Sequence, residues 1–138
     1  MLKNKLYKKL TVIIGLILII IFGLFLSTGG PRTDVYLVDY KVTGNTMTLN
    51  VGIMSSMGYI RSMRRTSGSM NYYLTFYSTF GINSSIGSKN TFEIELDQNV
   101  DELYFYTGDK GYKKILEKND DGEWINVSIK NREWYYEK

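Results

Sequence analysis

The stretch VYLVDYKVTGNTMTLNVGI, Val35–Ile53, decides the fold class. Its second half alternates without a break, with Met47, Leu49, Val51 and Ile53 set against Thr46, Thr48, Asn50 and Gly52. Its first half places Tyr36, Val38, Tyr40 and Val42 on one side and Asp39 and Lys41 on the other. A period of two residues is that of a strand with one buried face. Thr43, Gly44 and Asn45 lie between the halves, and Gly and Asn tolerate the positive φ of a tight turn. The stretch therefore predicts a β-hairpin.

The same chemistry continues towards the C-terminus. Tyr59–Thr66, Tyr72–Thr79, Thr91–Asp97, Glu102–Thr107, Tyr112–Lys118, Glu123–Ile129 and Arg132–Glu137 all read as strands. Glu102–Thr107 is apolar on both faces, which predicts a central strand. Between them lie Met54–Gly58, Ser67–Asn71, Gly108–Gly111, Asn119–Gly122 and the longest loop, Phe80–Asn90, rich in Gly, Ser and Asn. About eight short strands, with turn signals every 8–12 residues and no amphipathic helix, predict an all-β domain over residues 34–138. An antiparallel, immunoglobulin-like β-sandwich is the expected architecture.

Towards the N-terminus the composition changes. Leu10–Leu26 reads LTVIIGLILIIIFGLFL, and from Leu10 to Pro31 no residue is charged. A helix over this stretch is apolar on every face and about 33 Å long, against a hydrocarbon core of roughly 30 Å. The hundred or so residues that remain are too few to wrap it, so lipid is its expected surrounding. Residues 10–28 are predicted to form one transmembrane helix, after a basic tail at 1–9 and before a short flexible linker at 29–33 containing Pro31. Lys3, Lys5, Lys8 and Lys9 precede the helix and Arg32 alone follows closely, so Lys8, Lys9 and Arg32 flank the anchor. The positive-inside rule then places the N-terminus in the cytoplasm and the β domain outside the cell. A cleaved signal peptide is the alternative, but the apolar run is longer than such peptides use and ends in a poor cleavage site.

Charge supports this division. The net charge of +3 conceals a basic N-terminal region, because residues from Thr33 onward carry 12 basic and 14 acidic side chains, a net of −2. The basic balance thus speaks for membrane topology and against nucleic-acid binding. There is no cysteine, so an exported domain here is held by its core alone. The abundance of Lys, Asn, Ile and Tyr points to a bacterium with AT-biased coding.

The strings SSMGYIR (Ser55–Arg61), YLTFYSTFGINSSIG (Tyr73–Gly87), NTFEIELD (Asn90–Asp97) and ELYFYTGDKGYKKIL (Glu102–Leu116) resemble an uncharacterised family of small exported or membrane-anchored proteins of low-GC Gram-positive bacteria. The resemblance implies location; it carries no catalytic or ligand residue.

Chemistry is narrowed mainly by what is missing. With neither His nor Cys, the chain lacks Ser-His-Asp and Cys-His nucleophilic sites, thiol redox chemistry and ordinary zinc sites. It also lacks GxxxxGK[ST] and GxGxxG phosphate motifs. Glu93 and Glu95 share a strand face about 7 Å apart, a spacing compatible with glycoside hydrolysis, but outward acids on an alternating strand need only solubility to explain them. Asp97, Asn99, Asp101 and Glu102 follow part of a calcium-loop pattern, yet Glu102 stands where its glycine belongs and Gly108 where its last glutamate belongs, which favours turn capping. Arg61, Arg64 and Arg65, beside Tyr59, form the only basic cluster of the domain. Contact with anionic headgroups, wall polymers or an acidic partner is one role for it, and a charged edge strand that resists aggregation is the other. The tyrosines, with Trp124 and Trp134, offer a sugar-stacking platform or a core, and strands favour the core; Trp134–Tyr136 is the expected exposed aromatic edge. No metal and no cofactor is expected. The sequence points to a non-enzymatic binding module at the cell envelope, whose partners are the lipid bilayer and an envelope protein or cell-wall polymer. One alternative is an accessory subunit of a membrane complex that acts through its anchor, with Gly15 and Gly23 marking a packing face. The other is a carboxylate-dependent polysaccharide hydrolase.

Overall fold

The computed structural model describes residues 2–26, 28–81 and 83–128. The predicted strand Arg132–Glu137, with its aromatic edge Trp134–Tyr136, lies outside the described residues.

Helix α1 runs over Leu2–Leu26. Its segment Asn4–Leu24 has a mean hydropathy of 2.1 and is exposed along its length, so the helix is long and apolar enough to cross a membrane. It begins before the predicted residue 10, taking in the basic tail, because Leu and Lys are good helix formers and nothing there breaks the backbone.

Among the described residues nine strands follow. In chain order they are β1 (Thr28–Arg32), β2 (Val35–Thr43), β3 (Thr46–Ile53), β4 (Ile60–Ser67), β5 (Asn71–Thr79), β6 (Thr91–Glu95), β7 (Glu102–Tyr106), β8 (Tyr112–Lys118) and β9 (Trp124–Asn126). β2, β3 and β6 make a three-stranded sheet, and the others make a six-stranded one. β5 is central to the larger sheet. One of its edges pairs with β4, and the other is shared end to end: β7 takes Asn71–Leu74 and β1 takes Phe76–Thr79. β8 and β9 continue beyond β7.

Three expectations are corrected. The domain is not wholly antiparallel, because β5 and β7 pair in parallel. A parallel pair needs a long crossover, and here the chain leaves the large sheet, forms β6 in the small one and returns. The supposed flexible linker is largely strand β1, separated from α1 by one residue. An edge position suits its Pro31, which has no N–H to donate. Finally, the inward face of β2 begins with Val35 and Leu37, while Val38 and Val42 are exposed. A bulge between Leu37 and Asp39 shifts the alternation, and Tyr36 lies over Gly52 on β3.

Both sheets feed one hydrophobic core. Met47, Leu49, Val51, Phe92 and Ile94 of the small sheet are buried in the same cluster as Tyr72, Leu74, Phe76, Leu103, Phe105 and Leu116 of the large one. Phe76 anchors it, edge-on to Phe92 at 5.4 Å and to Phe105 at 4.8 Å between ring centroids. Each such pair adds about 0.5–1.5 kcal/mol beyond area burial. Polar contacts tie the sheets at two sides. The Tyr40 hydroxyl of β2 donates to the Trp124 carbonyl of β9 at 2.5 Å. Across the other side, Arg65 of β4 donates to the Glu95 carbonyl of β6 at 2.7 Å.

Candidate interaction face

Alternation divides the tyrosines of the large sheet between two environments. On β5, Tyr72, Leu74 and Phe76 point into the core, which turns Tyr73, Thr75 and Tyr77 outward. On β7, Leu103 and Phe105 are buried and Glu102, Tyr104 and Tyr106 face out. Register then brings the outward rings together: Tyr73 pairs with Tyr104, and Tyr106 pairs with Tyr112 of β8. Tyr73 stacks on Tyr104 at 5.2 Å between centroids and meets Tyr112 edge-on at 5.1 Å. Tyr112 meets Tyr106 edge-on at 5.4 Å and shares a hydrogen bond of 3.1 Å with the Thr75 hydroxyl. Four rings thus form one half-exposed aromatic surface across three strands.

One end of this surface is charged and internally neutralised. Lys114 bonds Glu102 and, at 3.1 Å, Glu117, while the Tyr104 hydroxyl donates to Glu102 at 2.8 Å. The bonds from Lys114 and Tyr104 hold the Glu102 carboxyl below its ordinary range despite burial. Burial and the bond to Glu102 raise the Tyr104 hydroxyl, and the two carboxylates raise the Lys114 ammonium. Around neutral pH this end is therefore fixed as ammonium, carboxylate and neutral phenol.

The other end carries Arg64. It stands opposite Thr75 in the β4–β5 register, on the outer face, exposed and, among the described residues, without a hydrogen bond or ion pair. Beside it Ser62, Met63 and Tyr77 complete a recess of about 360 Å³.

The remaining members of the predicted basic cluster are placed elsewhere. Tyr59 precedes β4 and is 39% exposed, with its carbonyl accepting the Thr79 N–H at 3.1 Å. Arg61 occupies a bulge between Ile60 and Ser62 and donates to the Ile86 carbonyl at 3.2 Å, bracing the 80–90 loop. Arg65 lies on the opposite side of β4 from Arg64, with its guanidinium 4.6 Å from the centre of the Tyr72 ring. Lys8 and Lys9 are exposed on α1. Arg32 turns into the domain and grips Asp34 with two bonds, 2.9 and 2.7 Å, and Ser55 with a third at 2.9 Å. Burial raises the Asp34 carboxyl, but the Arg32 and Ser55 bonds and the Arg32 charge outweigh it and hold the group below its ordinary value.

The two carboxylate candidates have simple surroundings. Glu93 and Glu95 are exposed on edge strand β6, opposite Thr48 and Thr46. Asp97, Asp101 and Glu102 each serve a different partner, respectively Tyr72, Lys118 and Lys114. Among the described residues no group of three or more acidic side chains is placed to hold a metal ion. A second recess of about 310 Å³ lies between β2 and β7–β9, where Val35, Leu37, Phe105 and Ile115 meet Lys113 and Asn126. Ser128, the last described residue, also lines it.

The sequence offers the tyrosines as a sugar-stacking platform or as core and favours the core, without separating the outward rings from the buried ones. The signal was present in YYLTFY and ELYFY, where aromatic residues occupy both parities of a strand whose aliphatic residues occupy only one. The chain matches no protein family, no curated protein and no solved structure.

Proposed function

We propose that this chain is a single-pass membrane protein of a bacterial cell envelope, with its N-terminus in the cytoplasm and its β domain outside. Its two sheets pack as a sandwich; the shared core favours that arrangement, and the parallel β5–β7 pair sets it apart from a plain immunoglobulin-like version. Its role is non-enzymatic contact with an envelope component; the resemblance to anchored proteins of low-GC Gram-positive bacteria bears on its location alone. The single observation behind this role is the outer face of the large sheet. A sheet face with no partner is ordinarily dressed in charge, whereas this one carries packed tyrosine rings and one unengaged guanidinium. Tyr and Arg are the residues that contact surfaces concentrate.

Photo-crosslinking in intact cells tests this. A photoreactive residue in place of Tyr77 or Thr66, on the outer face of the large sheet, is expected to give discrete adducts. The same residue in place of Glu93, on the small sheet, is expected to give none. Equal labelling of both faces, or none on either, would contradict the proposal.

A further inference from the structure

We infer that the outer face of the large sheet binds a polysaccharide that carries anionic groups, with the tyrosines stacking its sugar rings and Arg64 engaging its carboxylate or phosphate. The inference rests on that face being the contact surface and adds the chemistry of what it contacts.

Three observations carry it. The first is the kind of apolar surface on offer. The outward positions of β4, β5, β7 and β8 named above hold tyrosine, hydroxyl and charged side chains, and the aliphatic Pro31 of β1, opposite Tyr77, and Ile125 of β9, opposite Glu117, lie at the margins. A protein partner seats its buried centre on mixed aromatic and aliphatic surface. A sugar ring instead presents polarised C–H groups over one face and hydroxyls around its rim. Such C–H groups are drawn to the negative face of an aromatic ring, and the hydroxyls need polar neighbours. A tyrosine surface supplies both, because each ring carries its own hydroxyl.

The second is extent. The linked rings span β5, β7 and β8, and Tyr77 extends them along β5 towards β4. A polymer of flat units can lie along such a track, whereas one small molecule would leave most of it uncovered.

The third is charge. Lys114 is bracketed by Glu102 and Glu117, so that end offers no net attraction for an anion. Arg64 has no acidic partner among the described residues and stands beside the recess formed with Tyr77 and Ser62. A guanidinium binds carboxylate and phosphate by two parallel bonds. Complementarity therefore selects an acidic glycan over a neutral one.

The test uses the full chain in lipid nanodiscs and affinity electrophoresis through three polymers: a neutral β-glucan, a polyuronate and a phosphate-bearing mannan. The wild type is expected to be retarded by at least one acidic polymer about tenfold more strongly than by the neutral glucan. Comparing the uronate with the phosphomannan distinguishes the two sources of anion. Arg64→Gln is expected to reduce the acidic polymer to the neutral level, with an unchanged melting curve, because the side chain is exposed and unpartnered. Tyr106→Ala is expected to weaken retardation by all three. Equal retardation of wild type and Arg64→Gln, or retardation by none, would overturn the inference. If no polymer binds while Tyr77 crosslinks to an envelope protein, the contact face stands and its saccharide ligand does not. If Tyr77 also gives no adduct, both fall.

Discussion

The hydroxyl of Tyr72 donates to the Asp97 carboxylate at 2.6 Å and accepts the backbone N–H of the same residue at 3.1 Å. One fully buried ring of the large sheet thereby fixes the segment that leaves the small sheet after β6. Burial and the bond to Asp97 raise the hydroxyl above its ordinary value, so it stays protonated and able to donate. Tyr72→Phe keeps the ring and removes both bonds. It is expected to cost about 1–2 kcal/mol in urea unfolding, with an unchanged denaturant slope. An unchanged midpoint would mean that the pair contributes nothing to holding the sheets together.

A pair of neighbouring glycines tests whether the anchor enters the fold as a strand. A Cβ on Gly29 would lie 2.6 Å from the Thr79 carbonyl and also strike Ser78, whereas one on Gly30 would meet nothing within 4 Å. Gly29→Ala is therefore expected to push β1 off β5 at a cost of about 1–3 kcal/mol, while Gly30→Ala changes little. Thermal melts of the two variants in nanodiscs check this. Equal, small effects would be the behaviour of a free linker.

Acid should weaken the domain through two groups. Asp34 and Glu102 are both held below their ordinary values of 3.8 and 4.5. A depressed folded pKa means that the stabilisation is complete above the ordinary value and is lost as pH falls through the lower, folded one. Melting temperature should therefore drop on the acid side of 3.8 to 4.5, and Asp34→Asn and Glu102→Gln should each flatten that drop. Lys114 has the opposite sign. Its raised pKa gives stabilisation that is present below 10.5 and lost only at more alkaline pH. A melting temperature that held level through the acid range would contradict these assignments.

Strand identity was legible in the sequence wherever alternation was uninterrupted. β3 and β8 begin and end where period two and turn residues place them, and β5, β6 and β7 differ by one or two residues at an end. What period two cannot reveal is a partner in the other sheet or a residue that breaks the count. The bulges at Val38 and Arg61 break the alternation in β2 and β4, and nothing in those residue types announces them. β1 escaped notice because two glycines and a proline look like a linker, yet an edge strand against β5 needs neither side chains nor every N–H. The same limit scattered the arginine cluster, whose proximity in sequence became three separate environments: Arg61 braces the 80–90 loop, Arg64 faces out, and Arg65 reaches Glu95 of the small sheet. The tyrosine surface depends on the register between β5 and β7, which the parallel crossover establishes, together with that of the antiparallel β7–β8 pair.

In the proposed topology the apolar helix crosses the membrane with the β domain on the far side from the N-terminus. The chain contains no cysteine, so single cysteines can be introduced on an empty background. The measurement is labelling of intact cells with a membrane-impermeant maleimide, comparing Lys110→Cys in the exposed turn before β8 with Asn4→Cys at the start of α1. Lys110→Cys is expected to label at once and Asn4→Cys only after the membrane is opened. Labelling of Asn4→Cys in intact cells with Lys110→Cys protected, or recovery of the chain in the soluble fraction, would contradict the account.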